Sequence, residues 1–310
     1  MTWRTRAALA ALAGVMTAGC NLAEVATEPG EDVVVVEAVL RTDEPLQQVL
    51  LHHALQGRFS GGEAGAHVSV TGDDGRVHVL QQSTGCYRID KKYQASDSLQ
   101  FQGTCYVSPS TDAGWVLPGS TYDLLVETVD GRTIRGRTQV PGALAVPSIN
   151  GNLGNGLRGC SLAPGTGFTL LWRQADGAAS YVADLNINGL PHALGVPAPD
   201  PFELRGLAVS ETDTTILFPK EFGVFERFNY DVDLLKAIEN GFPEGVDMLL
   251  VLAAADRNWV NSVRGGNFNP SGLIRISTVV GDGVGVFGSL VVRRFTINVN
   301  AKTTIRRCGT

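Results

Sequence analysis

The stretch Ala66-His67-Val68-Ser69-Val70-Thr71, Gly72-Asp73-Asp74-Gly75, Arg76-Val77-His78-Val79-Leu80 decides the fold class. Apolar and polar residues alternate on both sides of an Asp-Gly pair, which is the period of a half-buried strand around a hairpin turn. With Asp74-Gly75 at the centre of a type I′ turn, Thr71 pairs with His78. Val68, Val70, Val77 and Val79 then share the buried face, and His67, Ser69 and His78 lie on the opposite, hydrated one.

The same pattern extends outward. Upstream, Val33 to Leu40 and Gln47 to Leu55 read as strands, and downstream Tyr122 to Val129 and Arg132 to Val140 join through Asp130-Gly131. Pro141-Gly-Ala-Leu-Ala-Val-Pro147 stops strand pairing and marks a boundary. Beyond it, Phe168 to Trp172, Thr214 to Phe218, Leu273 to Val280 and Ser289 to Val299 are strand-like, and Asn188-Gly189 signals a hairpin. Asp247 to Ala255 is apolar on both faces, as a central strand is. Asp231 to Asn240, ending at Gly241, has the form of a short capped helix. The fold class expected is mainly β: two tandem β-sandwich domains, 33–143 and 144–310, with one or two short helices in the second.

With 310 residues, 44% of them hydrophobic, the chain can build two such cores. After residue 20 no apolar run approaches the roughly 20 residues of a membrane helix. The formal charge is −6, without a basic stripe, which argues against a nucleic-acid partner.

Residues 1–19 have the order of a signal peptide: Arg4 and Arg6, then the Ala/Leu-rich stretch Ala7 to Met16, then small residues before a cysteine. Met16-Thr17-Ala18-Gly19-Cys20 resembles the lipobox of bacterial lipoproteins, with Thr17 where that family usually has Leu. The resemblance implies cleavage before Cys20, its acylation (a palmitate-type anchor), and a membrane partner reached through that lipid. Residues 20–32, acidic with little to bury, then form a tether. Asn21, where inner-membrane lipoproteins typically carry Asp, leans toward the outer membrane. With Cys20 set aside, Cys86, Cys105, Cys160 and Cys308 form an even set, which in an exported chain suggests two disulfides. Three pairings are open. Cys86 and Cys105 fall in one expected domain while Cys160 and Cys308 bracket the other, so Cys86–Cys105 and Cys160–Cys308 are expected.

Little of this sequence has the spacing of chemistry. Gly283-Val-Gly285-Val-Phe-Gly288 matches a dinucleotide-binding pattern, but a strand follows it where a helix must, so its glycines read as a tight bend permitting close backbone approach. In the hairpin register above, His67 and His78 share a face but lie about 13 Å apart. His52 and His53 point to opposite faces, and His192 sits alone. No metal site or cofactor is expected. Asp73-Asp74 reads as turn chemistry, and Asp231, Asp233 and Glu239 lack the pattern of a calcium loop. No nucleophile elbow is present. Trp115 and Trp259, near polar loop residues, are the candidate ligand contacts.

Three further resemblances bear on residues 33–310. Residues 33–141, with a D-G hairpin, Gly85-Cys86-Tyr87 and Pro118-Gly119-Ser120-Thr121-Tyr122, resemble transthyretin-like or carboxypeptidase-regulatory-like sandwiches. Phe168-Thr-Leu-Leu-Trp172 with Tyr181 resembles a strand pair of a fibronectin type III-like (Ig-like) sandwich, which implies that Trp172 packs in the core. Ala255-Asp-Arg-Asn-Trp259, Asn269-Pro-Ser-Gly and Gly281-Asp-Gly-Val-Gly-Val-Phe287-Gly288-Ser289 resemble the C-terminal signature of an uncharacterised lipoprotein family often found beside outer-membrane nutrient receptors. The function expected is therefore non-enzymatic: an outer-membrane-anchored, extracytoplasmic binding or accessory module whose partner is a transporter or a surface glycan or peptide. A structural or adhesive spacer is the alternative, and an extracytoplasmic hydrolase the third reading.

Overall fold

In β1 (Val34–Arg41) every second side chain turns inward, and Val34, Val36, Ala38 and Leu40 are completely buried. The computed structural model describes residues 32–53, 59–84, 100–101, 103–145, 147–151, 159–195, 197, 199–207, 212–220, 236–264 and 276–309. The signal peptide, Cys20, the tether before Asp32, Cys86 and residues 231–235 of the expected helix lie outside these residues. After β1 come β2 (Gln48–His53), β3 (Phe59–Ser60), β4 (His67–Gly72), β5 (Val77–Ser83), β6 (Gln100–Phe101), β7 (Thr104–Val107), β8 (Thr121–Glu127) and β9 (Thr133–Gln139). The second half carries β10 (Ser148–Ile149), β11 (Gly159–Leu162), β12 (Phe168–Leu171), β13 (Ser180–Asn188), β14 (Phe202–Leu207), β15 (Thr215–Phe218), β16 (Asp247–Ala255), β17 (Val279–Gly281) and β18 (Gly283–Val299). Helices are short: Leu190–Leu194, Arg257–Arg264, and a helical turn at 236–238.

The fold is mainly β and sandwich-like, as the strand and turn pattern predicts. Its largest sheet runs β14-β13-β16-β18-β1-β2-β7-β5-β4-β8-β9-β17, with β11 also paired to β18, and β10-β12-β15 forms a smaller sheet. The division expected at 143/144 does not interrupt it. β18 serves both halves: Gly283 to Leu290 run parallel to β1, whereas Leu290 to Asn298 pair antiparallel with β16. The path then turns back on itself, because the N–H of Thr278, just before β17, donates to the carbonyl of Gly285 in β18 (2.9 Å). Residues 31–310 form one compact unit, whose large core reaches from Val34 through Phe287 to Val299, with a smaller cluster of Ala253, Ala255, Val260, Leu290 and Val292. Even the expected linker is held down. Leu144 is fully buried, its carbonyl accepts from Arg293 Nε (3.0 Å), and the N–H of Gly142 donates to the carbonyl of Asp176 (2.7 Å).

Two local expectations are corrected. Thr71 pairs with Val77, not His78, because the turn is a three-residue loop, Asp73-Asp74-Gly75, with Gly75 in the left-handed region (φ +77°). A slip of one residue moves every side chain of β5 to the other face. Val77 and Val79 are consequently exposed (57% and 44%), while His78 and Leu80 turn inward beside Val70 and Val68. Gly283 to Gly288, expected as a bend, lie within the continuous strand β18.

Candidate functional site

Two of the segments quoted for the family resemblance, Ala255 to Trp259 and Phe287 to Ser289, meet at one buried junction, while the third, 269–272, lies outside the described residues. Asp256 directly follows β16 and caps the helix Arg257–Arg264: its Oδ1 accepts from the N–H groups of Trp259 (2.8 Å) and Ser289 (3.1 Å). The other carboxylate oxygen accepts from Thr138 Oγ1 of β9 (2.6 Å), which lies 2.9 Å from Ser289 Oγ. Asn258 adds two bonds, from Nδ2 to the carbonyls of Arg137 (2.7 Å) and Phe287 (2.9 Å). Burial raises the Asp256 carboxyl above its ordinary range, although these hydrogen bonds pull the other way. Asp256, Thr138 and Ser289 are 4%, 2% and 0% exposed. A serine, a threonine and a carboxylate so placed have the composition of a catalytic cluster, and all three are buried. Their geometry instead joins β9 to β18 and to the helix.

The glycines of that stretch have steric causes. A Cβ on Gly285 (φ +139°) would lie 2.0 Å from the carbonyl oxygen of Val36, and one on Gly288 would lie 2.9 Å from the Trp259 nitrogen. They admit the backbones of β1 and of the helix.

Of the candidate ligand contacts, Trp115 lies in the connection before β8 and Trp259 in the helix Arg257–Arg264. Trp115 has one ring face covered by His78 (centroids 4.2 Å apart, planes at 13°) and meets the edge of Tyr122 (5.2 Å). His78 is turned inward and fixed by Asp112 Oδ2, 3.0 Å from its Nδ1, which overturns its expected hydrated position. Tyr122 accepts from the N–H of Leu117 (3.0 Å) and donates to the carbonyl of Trp115 (2.9 Å), so this tryptophan is built into a corner of the sandwich. A similar corner recurs in the second half, where Trp172, 6% exposed, packs on Tyr181 and the N–H of Ala175 donates to the Tyr181 hydroxyl (2.7 Å). Trp259 is half-buried on its helix, packed with Val260, Leu290 and Val292.

Cys160 and Cys308 are disulfide-bonded across 148 positions. Cys105 is disulfide-bonded too, and its expected partner Cys86 lies outside the described residues. Among those residues no group of three or more His, Cys, Asp or Glu side chains has a metal-holding arrangement. Asp73 and Asp74 serve the hairpin: Asp73 Oδ2 accepts from the N–H of Thr121 and Asp74 Oδ1 from that of Arg76. His53, weighed in the sequence only as a metal ligand, is held between Asp32 and Glu63. One open depression of about 450 Å³ is lined by Gln174, Asp176, Gly177, Thr212 and Arg257.

No family model matches the chain, and no curated protein matches it. Among solved structures, it is similar to the Clostridium thermocellum CbhA fibronectin(III)-like modules, at 9% identity over 86% of this chain and 94% of that one, with a TM-score of 0.20. At that score the likeness carries no argument about fold or function.

Proposed function

We propose that this chain is a lipid-anchored extracytoplasmic protein of the outer membrane that acts as a non-enzymatic accessory or binding module, in the manner of the uncharacterised lipoproteins its C-terminal signature resembles. The observation that carries this reading is the run Met16-Thr17-Ala18-Gly19-Cys20 behind a basic, apolar leader. Two features support it. The disulfide Cys160–Cys308 suits an oxidising compartment. The Asp256–Thr138–Ser289 cluster, the most catalytic-looking group in composition, is enclosed and committed to structure. No helix among the described residues is long and apolar enough to cross a membrane. The partner in this reading is a nutrient receptor of the same membrane, or a glycan or peptide held at its surface.

Labelling cells with a fatty-acid analogue tests the anchor: the wild-type chain takes up label and partitions with membranes, and Cys20→Ala does neither. Equal labelling of the two chains would sink the anchored reading. Affinity isolation from intact envelopes tests the partner, the expected result being co-purification with an outer-membrane receptor. Normal nutrient uptake but poor surface attachment in a deletion strain would favour the spacer reading instead.

A further inference from the structure

The loop that joins β13 to β14 opens on an asparagine–glycine pair with a carboxylate on its backbone. Asn188 ends β13 and is exposed, and Gly189 follows in the left-handed region (φ +81°, ψ +6°) before the helix Leu190–Leu194. The N–H of Gly189 donates to Asp200 Oδ1 (3.0 Å), which the same loop brings back just ahead of β14. Asn188 Nδ2 makes a long bond to the carbonyl of Asp247 (3.4 Å), and among the described residues the Asn188 Oδ1 accepts none.

An asparagine side chain is a latent electrophile when glycine follows it. The next backbone nitrogen can reach its Cγ and close a five-membered ring, and glycine lacks the Cβ that would crowd the approach. An amide nitrogen is a poor nucleophile while it keeps its proton, so ring closure waits on a base. A general base works from hydrogen-bond reach of the proton it takes, about 2.6–3.2 Å between heavy atoms, and Asp200 has that reach. Three other Asn-Gly pairs occur, at 150–151, 155–156 and 240–241, of which 155–156 lies outside the described residues. Asn150 has its Oδ1 held by the N–H of Thr169 (2.8 Å), and among the described residues no carboxylate accepts from the N–H of Gly151. Gly241 is buried, and its N–H donates to the carbonyl of Ile238 (2.9 Å), a neutral acceptor that removes no proton.

We propose that Asn188 is a site of self-catalysed deamidation with Asp200 as its general base. The Gly189 nitrogen bonds to Cγ of Asn188 as its proton passes to Asp200. The bond from Cγ to the side-chain nitrogen then breaks, Asp200 returns the proton to that nitrogen, and ammonia leaves. Water opens the resulting succinimide at either carbonyl, giving aspartate or isoaspartate, and no oxidant or reductant takes part. Either product sets a negative charge beside Asp200 and opposite Asp247, the register partner of residue 188, and isoaspartate also lengthens the backbone by one carbon. β14 ends the large sheet and pairs with β13 from Ile187 opposite Phe202, so the change loosens the hairpin of this edge strand in one direction over time.

Incubating the full-length chain at neutral pH and mapping its peptides by mass spectrometry tests this, with isoaspartyl methyltransferase labelling to mark the second product. Residue 188 is expected to convert about five- to fiftyfold faster than residue 150 or 240 in the same sample. Asp200→Asn keeps an acceptor for the Gly189 N–H but is a far weaker base. It is expected to bring the rate at 188 within about threefold of the other two and to leave theirs unchanged. In urea, where the local sequence alone governs, the wild-type chain is expected to lose the ordering. Conversion at 188 no faster than at 150 and 240 in the folded chain, a rate that Asp200→Asn leaves unchanged, or an order that persists in urea would overturn the proposal. Where Asp200→Asn does not fold, the comparison of folded with unfolded wild type decides alone.

Discussion

Asp256 is nearly removed from water and spends both oxygens on neighbours from three elements. Truncation in Asp256→Ala strands the N–H groups of Trp259 and Ser289 and leaves Thr138 only its contact with Ser289, and is expected to cost about 2–4 kcal/mol in denaturant unfolding. Asp256→Asn keeps the helix cap through its carbonyl and can donate its amide to Thr138, so its cost is expected below about 1 kcal/mol. The two variants also differ in pH response. Because burial raises the folded carboxyl above its unfolded value, the native state binds more protons there. This group's contribution is therefore full below the unfolded carboxylate range and is lost as pH rises through the folded one. Asp256→Asn should remove that decline, seen as a flatter stability profile in urea melts above about pH 4. At Gly285 a side chain meets the Val36 carbonyl, so Gly285→Ala is expected to lower thermal stability by more than the usual helix or strand penalty, about 3 kcal/mol or more.

At the scale of elements, the β4–β5 hairpin separates the two registers experimentally. With Thr71 opposite Val77, Val79→Thr touches an exposed face and should change stability by less than about 0.5 kcal/mol, whereas Leu80→Ala should cost about 2–4 kcal/mol. The register with Thr71 opposite His78 demands the reverse order. The hairpin sequence contains both solutions, because valine alternates on each strand and the loop can close over two residues or three. What selects between them is the inner layer. His78 finds Trp115 and Asp112 there, and Leu80 finds Val68. The disulfide belongs to this scale as well: Cys160 lies in β11 and Cys308 in the closing segment, enclosing 148 positions of chain. Cys160→Ser or Cys308→Ser is expected to cost about 2–5 kcal/mol, measured as the lowered unfolding midpoint without reductant.

For the whole molecule, β18 is the element on which both halves depend. A chain ending at residue 143 retains β1 but lacks its parallel neighbour Gly283 to Leu290, as well as β17 beside β9 and the Phe287 side chain in the core. It should stay unfolded, with a collapsed amide spectrum, and a dispersed one would show that the first half closes without its neighbour. The intact protein should lose near-ultraviolet and far-ultraviolet dichroism together in one transition, because a strand cannot leave one half while staying in the other.

The mainly β class, the placing of most strands, the coreward Trp172 and the pairing of Cys160 with Cys308 could all be read from the chain itself. The class and the strands follow from short-range periodicity and turn chemistry, the place of Trp172 from the fibronectin III-like resemblance, and the cysteine pairing from an even count together with which stretches the cysteines bracket. The register of β5, the sharing of β18 and the placing of His53 between Asp32 and Glu63 could not. They depend on which backbones meet across about 250 positions, as Val34 meets Gly283, and on which side chains the resulting layers bring within hydrogen-bond distance. The Gly283 to Ser289 run shows the difference most clearly. Its composition said that something must approach closely, and only the fold decided that β1 and a capped helix do so.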